Sequence, residues 1–248
     1  MTVRTIIAGN WKMHKTAADA AAFLDAFLPM VPTLPVSIEI VVAPPFTSIP
    51  TASARLRGAR VQLGAQNMHW ELAGAFTGEV SAPMLREFGV THVILGHSER
   101  RALCDETDRT VNLKVRTALE QGLTPIVAVG ETLDERRAGA TGARVVAQIR
   151  AAFEGVAGDA LRRVVLAYEP IWAIGTGENC EPAEADRVMG TIRKCLDGLG
   201  ATPILYGGSM TARNVASYVA LPNINGGLVG GASLDPESFA AIVAGAGA

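Results

Sequence analysis

Eight short apolar runs recur along this chain of 248 residues, and each is followed by a stretch that reads as helix. They lie at 5–9, 37–43, 61–65, 92–95, 124–129, 163–168, 203–206 and 226–229, so successive starts fall 32, 24, 31, 32, 39, 40 and 23 residues apart. That spacing is the size of a strand–helix unit. Most of the runs are apolar at every position rather than at alternate ones, as in Ile126-Val127-Ala128-Val129 and Val164-Val165-Leu166-Ala167. Such strands need cover on both faces, which parallel strands flanked by helices receive. In the first helical stretch Thr16 and Asp19 form an N-terminal signature, and Phe23, Leu24, Phe27 and Leu28 make a core-facing stripe. Another helix begins near Pro182 and carries Val188, Met189, Ile192 and Leu196 on one side.

Eight such units without a linker, a low-complexity segment or a break in composition predict an α/β protein with one domain over 1–248. The expected architecture is a closed (β/α)8 barrel, eight parallel strands inside a ring of helices. An open, doubly wound sheet shares the alternation; a barrel is distinguished by gathering the C-terminal ends of all its strands at one mouth.

Composition narrows the function classes. With 22 basic and 24 acidic residues the net charge is −2, which argues against a nucleic-acid binder. At 49% hydrophobic and 19% charged, the chain can bury a large core, and the low charged fraction hints at surface covered by another subunit. Cys104, Cys180 and Cys195 are widely separated and odd in number, which fits a reducing compartment. The N-terminal apolar stretch is too short for a signal peptide, and no run reaches the roughly 18 to 20 apolar residues of a membrane span. A cytoplasmic, non-membrane protein is expected.

The unusual polar residues fall where the strands end. The first strand runs into Asn10-Trp11-Lys12, the fourth into Gly96-His97-Ser98-Glu99-Arg100-Arg101, and the fifth into Gly130-Glu131. The sixth ends at Glu169, followed by Pro170-Ile171-Trp172-Ala173-Ile174-Gly175-Thr176-Gly177. The seventh and eighth end in Gly207-Gly208-Ser209 and Gly230-Gly231. A carboxylate just past a buried strand suits a general base, and an apolar loop bounded by proline and glycine suits a hinged lid that excludes water from it. Taken alone, Glu169 reads as readily as a surface or helix-start carboxylate, and His97 as a structural histidine. In its favour, a helix start at Ser98 would set the imidazole of His97 at the positive end of a dipole, which favours a neutral ring able to donate to a substrate oxygen. Lys12 beside Asn10 offers fixed positive charge, or belongs to a solvated Lys12/His14/Lys15 cluster. The glycine pairs after the last two strands occupy the usual phosphate site of such barrels, with Ser209 adding a hydroxyl. No dinucleotide or nucleotide-loop fingerprint occurs, no histidine spacing indicates a metal, and no cofactor is expected.

Six segments together resemble the triosephosphate isomerase family across the whole chain: AGNWKM (8–13), GAFTGEVS (74–81), ILGHSERR (94–101), YEPIWAIGTG (168–177), YGGS (206–209) and LVGGASL (228–234). The resemblance implies a TIM barrel that interconverts dihydroxyacetone phosphate and D-glyceraldehyde 3-phosphate, with no metal or organic cofactor, in glycolysis and gluconeogenesis. It implies Glu169 as the base, His97 as the electrophile, and Lys12 and Asn10 as stabilisers of enediolate and phosphate charge. Gly175, Ser209, Gly230 and Gly231 would hold the phosphate, under a lid of Pro170, Ile171, Trp172, Ala173, Ile174, Gly175, Thr176 and Gly177. Ser98 and Glu99 would support the site from behind, Glu99 near Lys12. The resemblance also implies a homodimer in which Thr77 approaches the partner's Asn10 and Lys12, with Arg101 and Glu106 supporting that interface. Against the family pattern this chain has Ala128 where cysteine is frequent, His14 after Met13, Glu178 after the lid, Asn225 for aspartate and Asp105 for glycine. Two other readings are weighed: a catalytically silent phosphate-binding barrel, which should lack one of Asn10, Lys12, His97 or Glu169, and another barrel enzyme such as a Schiff-base aldolase, which needs a lysine deep on the sixth strand.

Overall fold

The computed structural model describes residues 3–174, 180–196 and 202–247. Eight parallel strands close into a barrel in sequence order, β1 Thr5–Asn10, β2 Ile38–Ala43, β3 Val61–Ala65, β4 His92–Leu95, β5 Thr124–Val129, β6 Val165–Tyr168, β7 Ile204–Tyr206 and β8 Gly226–Val229. Closure is made by β8 pairing with β1, Ile6 opposite Gly226 through Gly9 opposite Val229. The expected strands are all present. The second, sixth and seventh begin later than expected, at Ile38, Val165 and Ile204, and the first runs one residue further, to Asn10.

Alternation along each strand splits the core in two. Ile6, Ala8, Val41, Ala43, Ile94, Ile126, Ala128, Val165, Ala167, Leu205 and Leu228 fill the barrel interior. Their neighbours, among them Ile7, Ile40, Val42, Val93, Val127, Leu166 and Ile204, pack outward against the helices. Both faces are therefore dry, which is why the runs read as continuously apolar. Ala128 is fully buried in the inner set.

The helices form where their caps and stripes place them. In α1 (Ala17–Phe27) Thr16 and Asp19 make a reciprocal capping box, and Phe23, Leu24 and Phe27 are buried. Leu28, the last residue of the expected stripe, starts a 3-10 turn and is half-buried. The helix expected near Pro182 spans Pro182–Cys195 and buries Val188, Met189 and Ile192. Two departures from the family pattern acquire local explanations. Asp105 has φ 52, a left-handed conformation that glycine adopts freely and aspartate tolerates better than most residues. Asn225 Oδ1 accepts hydrogen bonds from Arg193 at 2.7 Å and from the amide of Ile204 at 3.1 Å, so a neutral carboxamide fills the place a carboxylate would take against that guanidinium.

No helix among the described residues is long and apolar enough to cross a membrane.

Candidate active site

Extending the alternation of the inner face one step past the strands brings Asn10, Gln66, Gly96, Gly130, Glu169, Gly207 and Gly230 to the mouth of the barrel. Glu169 stands between two of these glycines. A Cβ on Gly130 would lie 1.7 Å from the carbonyl oxygen of Glu169, and one on Gly207 would lie 2.7 Å from Glu169 Cγ. Gly130 thus leaves room for the backbone of Glu169, and Gly207 for its side chain.

His97 and Glu169 meet directly. His97 Nε2 is 3.0 Å from Glu169 Oε1, and both side chains are almost completely buried. The backbone amide of Ser98, the first residue of a short helix over Ser98–Leu103, donates to Glu169 Oε2 at 2.9 Å. On the other side of the imidazole, Nδ1 accepts a hydrogen bond from the amide of Glu99 at 3.2 Å. That bond assigns the ring proton to Nε2, so a neutral His97 presents a donor to the pocket. Here that donor and the Ser98 amide hold both oxygens of Glu169. A carboxylate released from them could reach a substrate carbon.

Lys12 projects from the first strand end with φ 51. Its backbone amide donates to Asn10 Oδ1 at 3.1 Å, and its Nζ pairs with Glu99 Oε1 at 2.5 Å. The expected proximity of Glu99 to Lys12 is thus a direct ion pair. A cavity of about 270 Å³ is lined by Asn10, Lys12, His97, Glu169, Ile174, Ser209 and the glycines at 207–208 and 230–231. A lysine, an imidazole donor and a carboxylate therefore share one small cavity that four glycines also line. That combination can bind an anionic carbonyl compound and move a proton beside its carbonyl.

The comparisons agree with this arrangement. A family profile described as triosephosphate isomerase matches residues 5–246. The triosephosphate isomerase of Synechocystis sp. is 52% identical over 240 residues, covering 97% of this chain and 98% of its own. That of Symbiobacterium thermophilum is 49% identical over 247 residues, covering 97% and 96%. This chain belongs to the triosephosphate isomerase family.

The other positions singled out by resemblance to the triosephosphate isomerase family fall as follows. Ser209 lines the cavity, and its hydroxyl donates to the carbonyl of Ala173 at 3.4 Å, which ties the glycine-rich turn to the base of the expected lid. Gly231 opens a 3-10 turn over Gly231–Ser233. In the lid, Pro170 to Ile174 are described, with a 3-10 turn at Ile171–Ala173; Gly175, Thr176 and Gly177, and Glu178 beyond them, lie outside the described residues. Thr77 sits on an exposed arm, residues 71–79, and does not line the cavity of its own chain. Arg101 and Glu106 are engaged within the chain. Arg101 donates to the carbonyl of Gly96 at 2.7 Å and pairs with Asp108. Glu106 is buried, where it pairs with Lys114 and accepts from the amide of Gly96 at 3.1 Å.

Two residues of the site were not singled out from the sequence. Gln66 Nε2 donates to the carbonyls of Lys12 and Ala43, both at 2.8 Å. Glu131, noted in Gly130-Glu131 but given no role, is fully buried below the lid and accepts from Tyr168 Oη at 3.1 Å and from Trp172 Nε1 at 3.0 Å. Burial pushes its carboxyl above the usual carboxylate range, and the same cause, reinforced by the negative charge of Glu131, pushes the Tyr168 phenol up. Arg136 lies 4.4 Å from the Trp172 ring. The signal for Gln66 was available, as a polar residue one step past β3 on its inward face.

Among the described residues, no group of three or more His, Cys, Asp or Glu is placed to hold a metal ion.

Proposed function

We propose that this chain interconverts dihydroxyacetone phosphate and D-glyceraldehyde 3-phosphate by proton transfer through an enediolate, as a cofactor-independent isomerase of glycolysis and gluconeogenesis. The observation that carries the reading is the Glu169 carboxylate 3.0 Å from His97 Nε2, inside a cavity that also holds Lys12. Glu169 leaves the Ser98 amide and takes the proton from the carbon next to the carbonyl. The electron pair of that C–H bond moves into the new C=C bond, and the carbonyl π electrons move onto oxygen. His97 Nε2–H and Lys12 face the oxygens where charge develops, each such donor being worth about 3 to 4 kcal/mol in the transition state. His97 gives its Nε2 proton to that oxyanion and takes the proton of the neighbouring hydroxyl, so one proton passes between the two oxygens. The carboxylic acid on Glu169 then returns its proton to the neighbouring carbon, whose new C–H bond takes the C=C electron pair while the lone pair left on the deprotonated oxygen forms the new carbonyl. Asn10 and Lys12, the turn at Ser209 and the backbone at Gly230 and Gly231 take the phosphate, with Gly175 contributing from the lid. Lid closure removes water and protects the enediolate from losing phosphate.

The silent barrel has nothing in its favour here, since Asn10, Lys12, His97 and Glu169 are all present and the first, second, third and fourth of these line one cavity. The sixth strand, Val165–Tyr168, has no lysine for a Schiff base. The test is incubation of the purified protein with dihydroxyacetone phosphate in heavy water containing EDTA, followed by NMR. Aldehyde formation with carbon-bound deuterium is expected. No exchange and no aldehyde would favour the silent barrel, and inhibition by EDTA reversed by a divalent metal would reject a metal-free reaction.

The reading takes 1–248 as one domain and the homodimer as the active unit, in the cytoplasm, with no nucleic-acid or membrane partner. Supporting the dimer, Leu72 and Phe76 on the exposed arm, Met13 beside Lys12, and Met84 are all large apolar side chains left in contact with solvent by a single chain. The arm is braced by His69, whose ring stacks on Trp70 and meets the Phe76 ring at a tilt of 35°, 4.3 Å between centroids. Thr77→Arg puts a long charged side chain at its tip and is expected to weaken the dimer by about 2 kcal/mol or more. Light scattering over a dilution series should show monomer, with activity falling in parallel. A dimer of unchanged strength and full activity would remove Thr77 from the interface.

A further inference from the structure

We infer that Gln66 is a positioning residue for Lys12, acting through the lysine's backbone and not through the substrate. The inference rests on the proposed role of Lys12 and extends it. Lys12 is one of three non-glycine residues in the chain with positive φ among those described, and the one of the three that lines the cavity. A left-handed conformation at a residue with a long side chain is disfavoured and persists where its surroundings hold it. Two contacts supply that hold. Asn10 Oδ1 accepts from the Lys12 amide, and the Gln66 carboxamide donates to the Lys12 carbonyl. The same Gln66 nitrogen donates to the Ala43 carbonyl at the end of β2, so its two hydrogens clip the strained turn to a rigid strand end. Both neighbours are carbonyl oxygens, which settles the orientation of the amide.

Position adds a second consequence. Gln66 follows β3 directly and opens the segment that leads to the exposed arm at 71–79. The residue that holds Lys12 in place is therefore at the root of the arm proposed to enter the partner. Without the clip, the Lys12 turn can relax toward an ordinary φ, and its ammonium leaves the position set by Glu99 and by the nearby Gly230 backbone.

The experiment is a double-mutant cycle between Gln66→Met, which keeps length and removes both donors, and Lys12→Ala. Gln66→Asn, which retains the amide one methylene short, is the second variant should Gln66→Met fail to fold. Steady-state kinetics with dihydroxyacetone phosphate should show kcat/KM down about 10- to 100-fold in Gln66→Met, with KM raised and the dimer intact by light scattering. In the Lys12→Ala background the same change should cost less than about twofold, because its effect passes through the missing side chain. A lower kcat at unchanged KM would mean fewer folded active sites and would overturn the inference, as would losses that multiply in the double variant. If Lys12→Ala itself keeps native activity, the role of Lys12 falls and this inference with it; if Lys12→Ala is impaired and Gln66→Met is not, the inference alone falls.

Discussion

Glu169→Gln lowers kcat by about 10²- to 10⁴-fold while the barrel remains folded, the range over which a positioned general base acts. The replacement is nearly isosteric, so it fits the space that Gly207 leaves beside the side chain. It cannot take a proton from carbon. It also disturbs a local balance of donors, since the carboxylate receives one hydrogen bond on each oxygen, from His97 Nε2 and from the Ser98 amide. A carboxamide has one acceptor oxygen, so its NH2 would face one of those donors in a buried site. The expected accompaniment is a loss of stability of about 1 to 3 kcal/mol, visible as a lowered melting temperature in a protein that still unfolds cooperatively. Near-native turnover in a coupled assay would remove Glu169 from the chemistry. Loss of the folded circular-dichroism signal at working temperature would show instead that its main contribution is structural.

The barrel was legible because burial on both faces writes itself into the strands as unbroken apolar runs. Starts were less legible where the first residues of a run precede the hydrogen-bonded ladder, as Arg163 and Val164 do before β6, their amides bonding back to Ala160 and Leu161. In the site, the residues that carry charge were visible from where the strands end, and His97 and Glu169 were singled out separately. Their contact was not visible: 72 positions separate them in numbering, and the closeness comes from β4 and β6 converging on the same mouth. The supporting residues were harder still. Gln66 was marked only by its place one step past β3, and its purpose shows once the φ of Lys12 is known; Glu131 looks like a loop carboxylate until Tyr168 and Trp172 are seen to donate to it. The bonds that Arg101 and Glu106 make within the chain, to Gly96, Asp108 and Lys114, were likewise not visible, since resemblance gave them only a place at the proposed interface.

His97→Gln should cost about 10²- to 10³-fold in kcat with little change in KM, which separates an electrophile from a residue that merely shapes the pocket. The glutamine amide can reach toward the position of Nε2 and keep one donor there, so substrate binding in the ground state is largely preserved. The geometry of that donor is not. The imidazole is held from behind by the Glu99 amide donating to Nδ1, and a glutamine has no second acceptor in the ring plane to receive it. The donor then swings on a flexible side chain instead of being aimed in advance, and preorganisation is what gives such a donor its value as charge develops on the substrate oxygen. An interaction realised mainly in the transition state leaves kcat and kcat/KM lowered together, whereas a lost binding contact raises KM at constant kcat. Steady-state kinetics in both reaction directions distinguish the two. A variant whose defect lay wholly in KM, or whose kcat stayed within about twofold of the parent, would show that Lys12 alone carries the oxyanion.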